Sequence, residues 1–233
     1  MKSFGGKMKA VTFSYDDGVR QDIRLVELFN KYGLKGTFNL NSQLLGQGCE
    51  LMREGKLVSH KKVSREDVRA VYSGHEVATH SLTHPHLENL SADEIFRELE
   101  EDRIILSELA GYEVVGHAYP YGTYSDEVVR VIKERTGIKY ARTVTSTHNF
   151  DLQTELITFN PTVYHHREMD KMFELGEKFL SMKPDEPQLF YIWGHAYEFD
   201  IHDDWARFEE FLKMISGHAD VFYGTNRECL LFE

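Results

Sequence analysis

Short runs of strand character alternate with helical stretches along all 233 residues, and this alternation most limits what the chain can fold into. Strands are predicted at Ala10–Tyr15, Gly36–Leu40, His75–Thr79, Val114–Tyr119, Ile138–Val144, Leu156–Phe159, Gln188–Trp193 and Asp220–Tyr223. Each is a brief run rich in β-branched or aromatic residues. Helices are predicted at Asp22–Tyr32, Ser64–Tyr72, Ser125–Arg135, Arg167–Ser181 and His202–Ser216. A further long one opens at the Ser91–Glu94 capping box and runs to Ala110, where Gly111 ends it. The polar, glycine-rich stretch 41–62 reads as a long loop. Helices in most connections imply parallel strands. Seven or eight such units, with no linker or repeat, favour a closed α/β barrel in a single domain spanning 1–233. No Gly-x-Gly-x-x-Gly follows the first strand, which argues against a dinucleotide fold.

Composition narrows the class. The chain carries 27 Lys and Arg against 38 Asp and Glu, a net charge of −11. Such a chain is a poor partner for nucleic acid or an anionic membrane. No stretch approaches the length of an apolar membrane span, and the N-terminal residues lack a signal-peptide core. A cytoplasmic protein is expected. Two distant cysteines, Cys49 and Cys229, form neither a disulfide framework nor a paired-thiol metal site.

The chemistry-bearing residues fall where strands end. Asp16-Asp17-Gly18 follow the first strand, His80 and His84 the third, Pro120-Tyr121-Gly122 the fourth and His195 the seventh. In a βα barrel these ends converge on one face. Two adjacent carboxylates repel, and one needs a partner. The acid pair alone also fits a plain surface turn. Two imidazoles four residues apart plus a carboxylate make a catalytic zinc set with an open position. Asp17, His80 and His84 are therefore candidate metal ligands, leaving Asp16 as a base. His86 reads as a surface neighbour. The Tyr121 backbone N–H is a candidate oxyanion donor. His195 is a candidate general acid, or else a buried structural histidine. Zinc heads the candidate ions, and cobalt, nickel and iron suit the same donors.

These residues resemble the polysaccharide deacetylases of carbohydrate esterase family 4. The family's Thr-Phe-Asp-Asp-Gly motif stands here as Thr12-Phe13-Ser14-Tyr15-Asp16-Asp17-Gly18, with two residues inserted. Its His-Ser/Thr-x-x-His-Pro motif is intact as His80 to Pro85. The resemblance implies a distorted, TIM-like (β/α) barrel of about seven parallel strands. It also implies a divalent metal on Asp17, His80 and His84, Asp16 as base and His195 as acid. The family's Arg-x-Pro-Tyr/Phe-Gly motif departs here to Ala118-Tyr119-Pro120-Tyr121-Gly122. The missing arginine leaves Arg142, on the next strand, as the candidate partner of Asp16. The family's Asp-Trp motif is not visible. Tyr119, Tyr121, Trp193 and Tyr197 are candidate groove aromatics or core residues. Glu198 and Asp200 are candidates to orient His195 or to meet substrate. The expected substrate is an acetylated saccharide or related small amide, losing an N-acetyl or O-acetyl group. Hydrolysis of a cyclic imide or ureide, or carbohydrate binding on a decayed site, are the alternatives.

Overall fold

A computed structural model describes residues 3–232. Its centre is strand β1, Lys9–Asp16, all of whose residues are buried. The side chains alternate strictly between two faces. Val11, Phe13 and Tyr15 join the large apolar cluster that contains residues of the covering helices. Thr12, Ser14 and Asp16 belong to the opposite face, and each meets a polar partner. Thr12 Oγ1 donates to Asn226 Oδ1 at 2.8 Å, and Asn39 Nδ2 donates to Ser14 Oγ at 2.9 Å and Asp16 Oδ1 at 2.7 Å. The first strand therefore carries a buried polar row that ends at the acid pair.

The chain then runs through helix α1 (Asp22–Lys31), strand β2 (Gly36–Leu40), strands β3 (Glu50–Arg53) and β4 (Lys56–Ser59), helix α2 (Val68–Val71) and strand β5 (Glu76–Thr79). Helices α3 (Ala92–Phe96) and α4 (Asp102–Ala110) follow, then strand β6 (Gly116–Ala118), helix α5 (Asp126–Arg135), and strands β7 (Tyr140–Arg142) and β8 (Val163–Tyr164). Helix α6 (Met169–Ser181), strand β9 (Gln188–His195), helices α7 (Glu198–His202) and α8 (Trp205–Ile215), strand β10 (Val221–Tyr223) and helix α9 (Asn226–Leu231) complete it. Seven parallel strands form a curled sheet in the order β7-β6-β5-β2-β1-β9-β8, and β10 pairs with the start of β1. This is the distorted (β/α) barrel expected from the resemblance, but β7 and β8 do not pair, so the sheet is a half-barrel and not the closed barrel expected from the number of units. Among the described residues no helix is long and apolar enough to cross a membrane.

Four local expectations need correction. Stretch 41–62 is not all loop, because β3 and β4 pair as an antiparallel hairpin around Glu54-Gly55. Segment 156–159 is not a strand. It makes one bridge to β7, Arg142 with Phe159, and Pro161, which has no N–H to donate, separates it from β8. The long helix is interrupted by a π-helical turn at Arg97–Glu101, where the Glu98 carbonyl accepts the Leu82 N–H at 3.0 Å. Short helices α7 and α9 lie outside the sequence expectations.

Among the described glycines, Gly194 at the end of β9 leaves the least room for a side chain. A Cβ built on Gly194 would lie 1.9 Å from His165 Nδ1. His165 is buried between Tyr15 and Phe199, with ring centroids at 5.5 and 4.3 Å, so it has no room to withdraw. Gly194→Ala is expected to lower stability by about 1–3 kcal/mol through overpacking. A denaturant midpoint equal to the parent's would contradict this.

Candidate metal centre and cleft

Strand register builds one row across three strands. Asp16 pairs with Asn39 of β2 on one side and His195 of β9 on the other. All three belong to the inward set at the C-terminal strand ends, which is why residues far apart in sequence meet. Arg142, at the end of β7 and opposite Ala118 of β6, completes the group. Its Nη2 donates to Asp16 Oδ2 at 2.5 Å, and the side chain is 1% exposed. The guanidinium also lies 4.3 Å over the Trp193 ring and donates through Nη1 to the Thr143 carbonyl at 3.0 Å. Arginine thus reaches Asp16 from the strand neighbouring the position where the sequence motif lacks it. Burial alone would raise the Asp16 pKa. Arg142, then His80 and His195, outweigh burial and hold the carboxyl below its ordinary value.

Asp17 turns the other way. Its φ of 80° is left-handed, a conformation that aspartate tolerates better than most residues. Gly18 follows with φ of 61°, and a Cβ there would meet Leu40 Cδ2 at 2.7 Å. The Asp17 carboxylate faces His60 Nε2 at 3.0 Å and Lys62 Nζ at 3.2 Å. Burial opposes its ionisation, and Lys62 and His60 reverse that effect and push its pKa well down.

His80 and His84 come from a tightly tied loop. Ser81 and His84 have φ of 64° and 60°, strained values that cluster at functional sites. Asn41 Nδ2 donates to the Ser81 carbonyl at 2.9 Å. Buried Glu98, on the π-helical turn, accepts the Thr83 N–H and hydroxyl, both at 3.0 Å. His80 Nδ1 lies 2.7 Å from the Ala118 carbonyl, which accepts only if that nitrogen carries the proton. Nε2 then holds a free lone pair, the tautomer a metal ligand needs. Burial, reinforced by His84, takes the His80 pKa down to about 4, and burial lowers His84 as well. Neutral imidazoles suit ligation.

Asp17, His80 and His84 each offer a donor atom within 4.8 Å of the others. An ionised carboxylate, two neutral imidazoles and a fixed tautomer together fit a divalent ion. The ion would share Asp17 with the Lys62 ammonium.

His195 sits opposite this set, its Nε2 4.0 Å from Asp16 Oδ2. Glu198 grips it twice. One oxygen lies 3.1 Å from Nδ1 and the other accepts the His195 backbone N–H at 2.9 Å. Burial disfavours the imidazolium, but Glu198 and the Asp17 and Asp16 carboxylates win and raise the His195 pKa to about 9. Burial likewise opposes Glu198 ionisation, and His195 outweighs it and lowers Glu198 to about 2. Asp200, the other acid considered for this role, instead holds Gln21 and the Trp205 indole.

A cleft of about 390 Å³ lies over these groups, walled in part by Arg53, Tyr164, Arg167, Trp193 and Tyr197. A second, of about 470 Å³, shares Asp17, Arg53, His84, Tyr121 and Tyr197 with it and extends under the hairpin. Tyr121 is exposed at the rim, with φ of 59°. Its ring stacks on His86 at 4.0 Å. Tyr119 is core, its hydroxyl donating to the Ile157 carbonyl. His60, Lys62 and Asn39 were missed. The Glu54-Gly55 turn between the apolar pairs Leu51-Met52 and Leu57-Val58 was the available signal for the hairpin and its exit.

A family model described as polysaccharide deacetylase matches residues 5–141, more than half the chain. Solved structures share the fold. A Mycobacterium smegmatis protein described as a polysaccharide deacetylase superposes with a TM-score of 0.70 at 16% identity, covering 97% of this chain and 90% of that one. A family 4 carbohydrate esterase from Streptomyces lividans, in complex with acetate, gives 0.58 at 17% identity, covering 94% and 92%. A CE4 family pseudoenzyme from Bacillus anthracis gives 0.57 at 19% identity, covering 95% of this chain and 65% of that one. The chain thus spans less than two thirds of the length of some solved relatives.

The His195–Glu198 pair sets a pH window. The stabilising contribution of His195 is complete below its ordinary value of 6.5 and is lost as pH rises through about 9. That of Glu198 is complete above 4.5 and is lost as pH falls through about 2. In the metal-free protein, NMR titration of the His195 ring is expected to fall above 6.5. Glu198→Gln should move it down. A parent ring titrating at the ordinary value would contradict the assignment.

Proposed function

The chain belongs to the polysaccharide deacetylase family, and on that premise we propose that it is a metal-dependent hydrolase that removes N-acetyl groups from an acetylated saccharide. The observation that carries this reading is the pairing of an ionised Asp16 with a raised-pKa His195, 4.0 Å apart, beside a three-donor set in one cleft. Two titratable groups pushed apart in pKa are what acid–base hydrolysis requires.

Asp17, His80 and His84 would hold the ion, zinc first among the candidates. Bound there, it would polarise the acetyl carbonyl and acidify the attacking water, the help that a base as weakly basic as Asp16 needs. Asp16 accepts the proton from water as the oxygen attacks the acetyl carbon. Arg142 and Asn39 keep its carboxylate fixed and charged until then. The Tyr121 backbone N–H, at the cleft rim, donates to the oxyanion. His195, protonated and oriented by Glu198, passes its Nε2 proton to the amine as the C–N bond breaks. Acetate and a free amino sugar result. Tyr164 and Tyr197 in the cleft wall are the rings available to a sugar, since the Trp193 ring packs against both the Arg142 guanidinium and Tyr164.

A solved relative is described as a pseudoenzyme, so a binding role is the competing reading. Retention of Asp16, His80, His84 and His195 together speaks for turnover, since a binder needs neither a base nor an acid.

Zinc-loaded protein is expected to release acetate from at least one member of a panel of N-acetylated oligosaccharides. Asp16→Asn should reduce the rate by about 10²–10⁴-fold, the usual range for a general base, and chelation should abolish it. No acetate from any member by fully metal-loaded protein would overturn saccharide deacetylation.

A further inference from the structure

A second group of ligand-type side chains converges on the outer edge of the hairpin. Glu54 lies at the hairpin tip, His166 two residues past β8, and His202 at the end of α7. Their donor atoms all lie within 4.8 Å of one another. His166 Nε2 is 3.2 Å from Glu54 Oε1, and His202 Nε2 is 2.9 Å from Glu54 Oε2. The two imidazoles stack, with centroids 5.3 Å apart and planes 18° from parallel. Two near-parallel rings therefore present the same nitrogen to the two oxygens of one carboxylate.

Without an ion, each ring can donate an Nε2–H to one Glu54 oxygen. A single divalent cation would instead take all three converging donors at once. We propose that Glu54, His166 and His202 form a second metal site, distinct from the Asp17, His80 and His84 set. Two imidazoles and one carboxylate select a borderline transition ion such as zinc, nickel or copper(II) over calcium or magnesium.

The site joins three segments that wall the cleft. Glu54 follows Arg53, and His166 precedes Arg167, both cleft-lining residues. His202 closes the short helix that begins with Glu198, the partner of His195. None of the three ligands lines either cleft described above, so their role is positioning. An ion here pins the hairpin, and with it Arg53, to the opposite wall.

The test is zinc stoichiometry after equilibrium dialysis against zinc alone, in the full chain. The parent is expected to bind two equivalents, His202→Ala one, His80→Ala one, and the double variant none. His202 is half exposed, so its replacement should leave the fold intact, and Glu54→Gln provides an independent second variant. In the His80→Ala background, zinc should protect the 50–59 hairpin from proteolysis, and His202→Ala should remove that protection. A parent whose zinc content is unchanged by both His202→Ala and Glu54→Gln overturns the site. A single equivalent that His202→Ala removes and His80→Ala keeps supports this site while counting against the cleft site, so the two assignments fail separately.

Discussion

The buried ion pair between Asp16 and Arg142 is the interaction on which the rest of the site depends. A carboxylate at 2% exposure, at the end of the central strand, cannot stay charged without a partner. Arg142 supplies the charge, Asn39 a second hydrogen bond, and Trp193 a face against which the guanidinium packs. Such a pair is weak evidence for net stability, because desolvating both ions offsets much of their attraction. Removing one member is another matter, costing about 3–5 kcal/mol by leaving the other charge buried and alone. The pair therefore fixes the end of the central strand β1 relative to the end of the edge strand β7.

From that fixed point the site divides into two electrostatic halves. On one side burial dominates, and His80 and His84 are driven neutral while Lys62 and His60 keep Asp17 charged. On the other side Glu198 dominates, and His195 is driven toward its charged form. The same residue type thus takes opposite states within one cleft, decided by whether burial prevails or a carboxylate at Nδ1 outweighs it. Strained backbone at Asp17, Ser81 and His84 shapes the metal half of the cleft, and the Glu98 clamp on the His80–His84 loop holds part of that strain.

Much of this was legible in the sequence, for identifiable reasons. Strand alternation and strand-end placement are local properties, so the parallel sheet and the inward positions of Asp16, His80 and His195 could be read directly. Arg142 was reachable only through the family resemblance, which implies an arginine beside Asp16 where this chain has Ala118 and so points to the arginine of the next strand. The hairpin was not legible because its apolar residues come in adjacent pairs, Leu51-Met52 and Leu57-Val58, and not in strand alternation, and Met52 and Leu57 lie exposed. His60 and Lys62 went with it. Segment 156–159 has strand composition, but Asn160-Pro161 moves regular pairing downstream to Val163. Glu198 and Asp200 could not be separated, since their roles depend on a helix too short to carry a period.

The most direct test of this account is the titration of the Asp16 carboxyl carbon by ¹³C NMR in metal-free protein, in the parent and in Arg142→Met. The account predicts that the parent carboxyl stays ionised to below the ordinary 3.8. Removal of the guanidinium should let burial dominate and raise the titration above that value. Identical titrations in the two proteins would contradict the claim that Arg142 sustains the charge of Asp16.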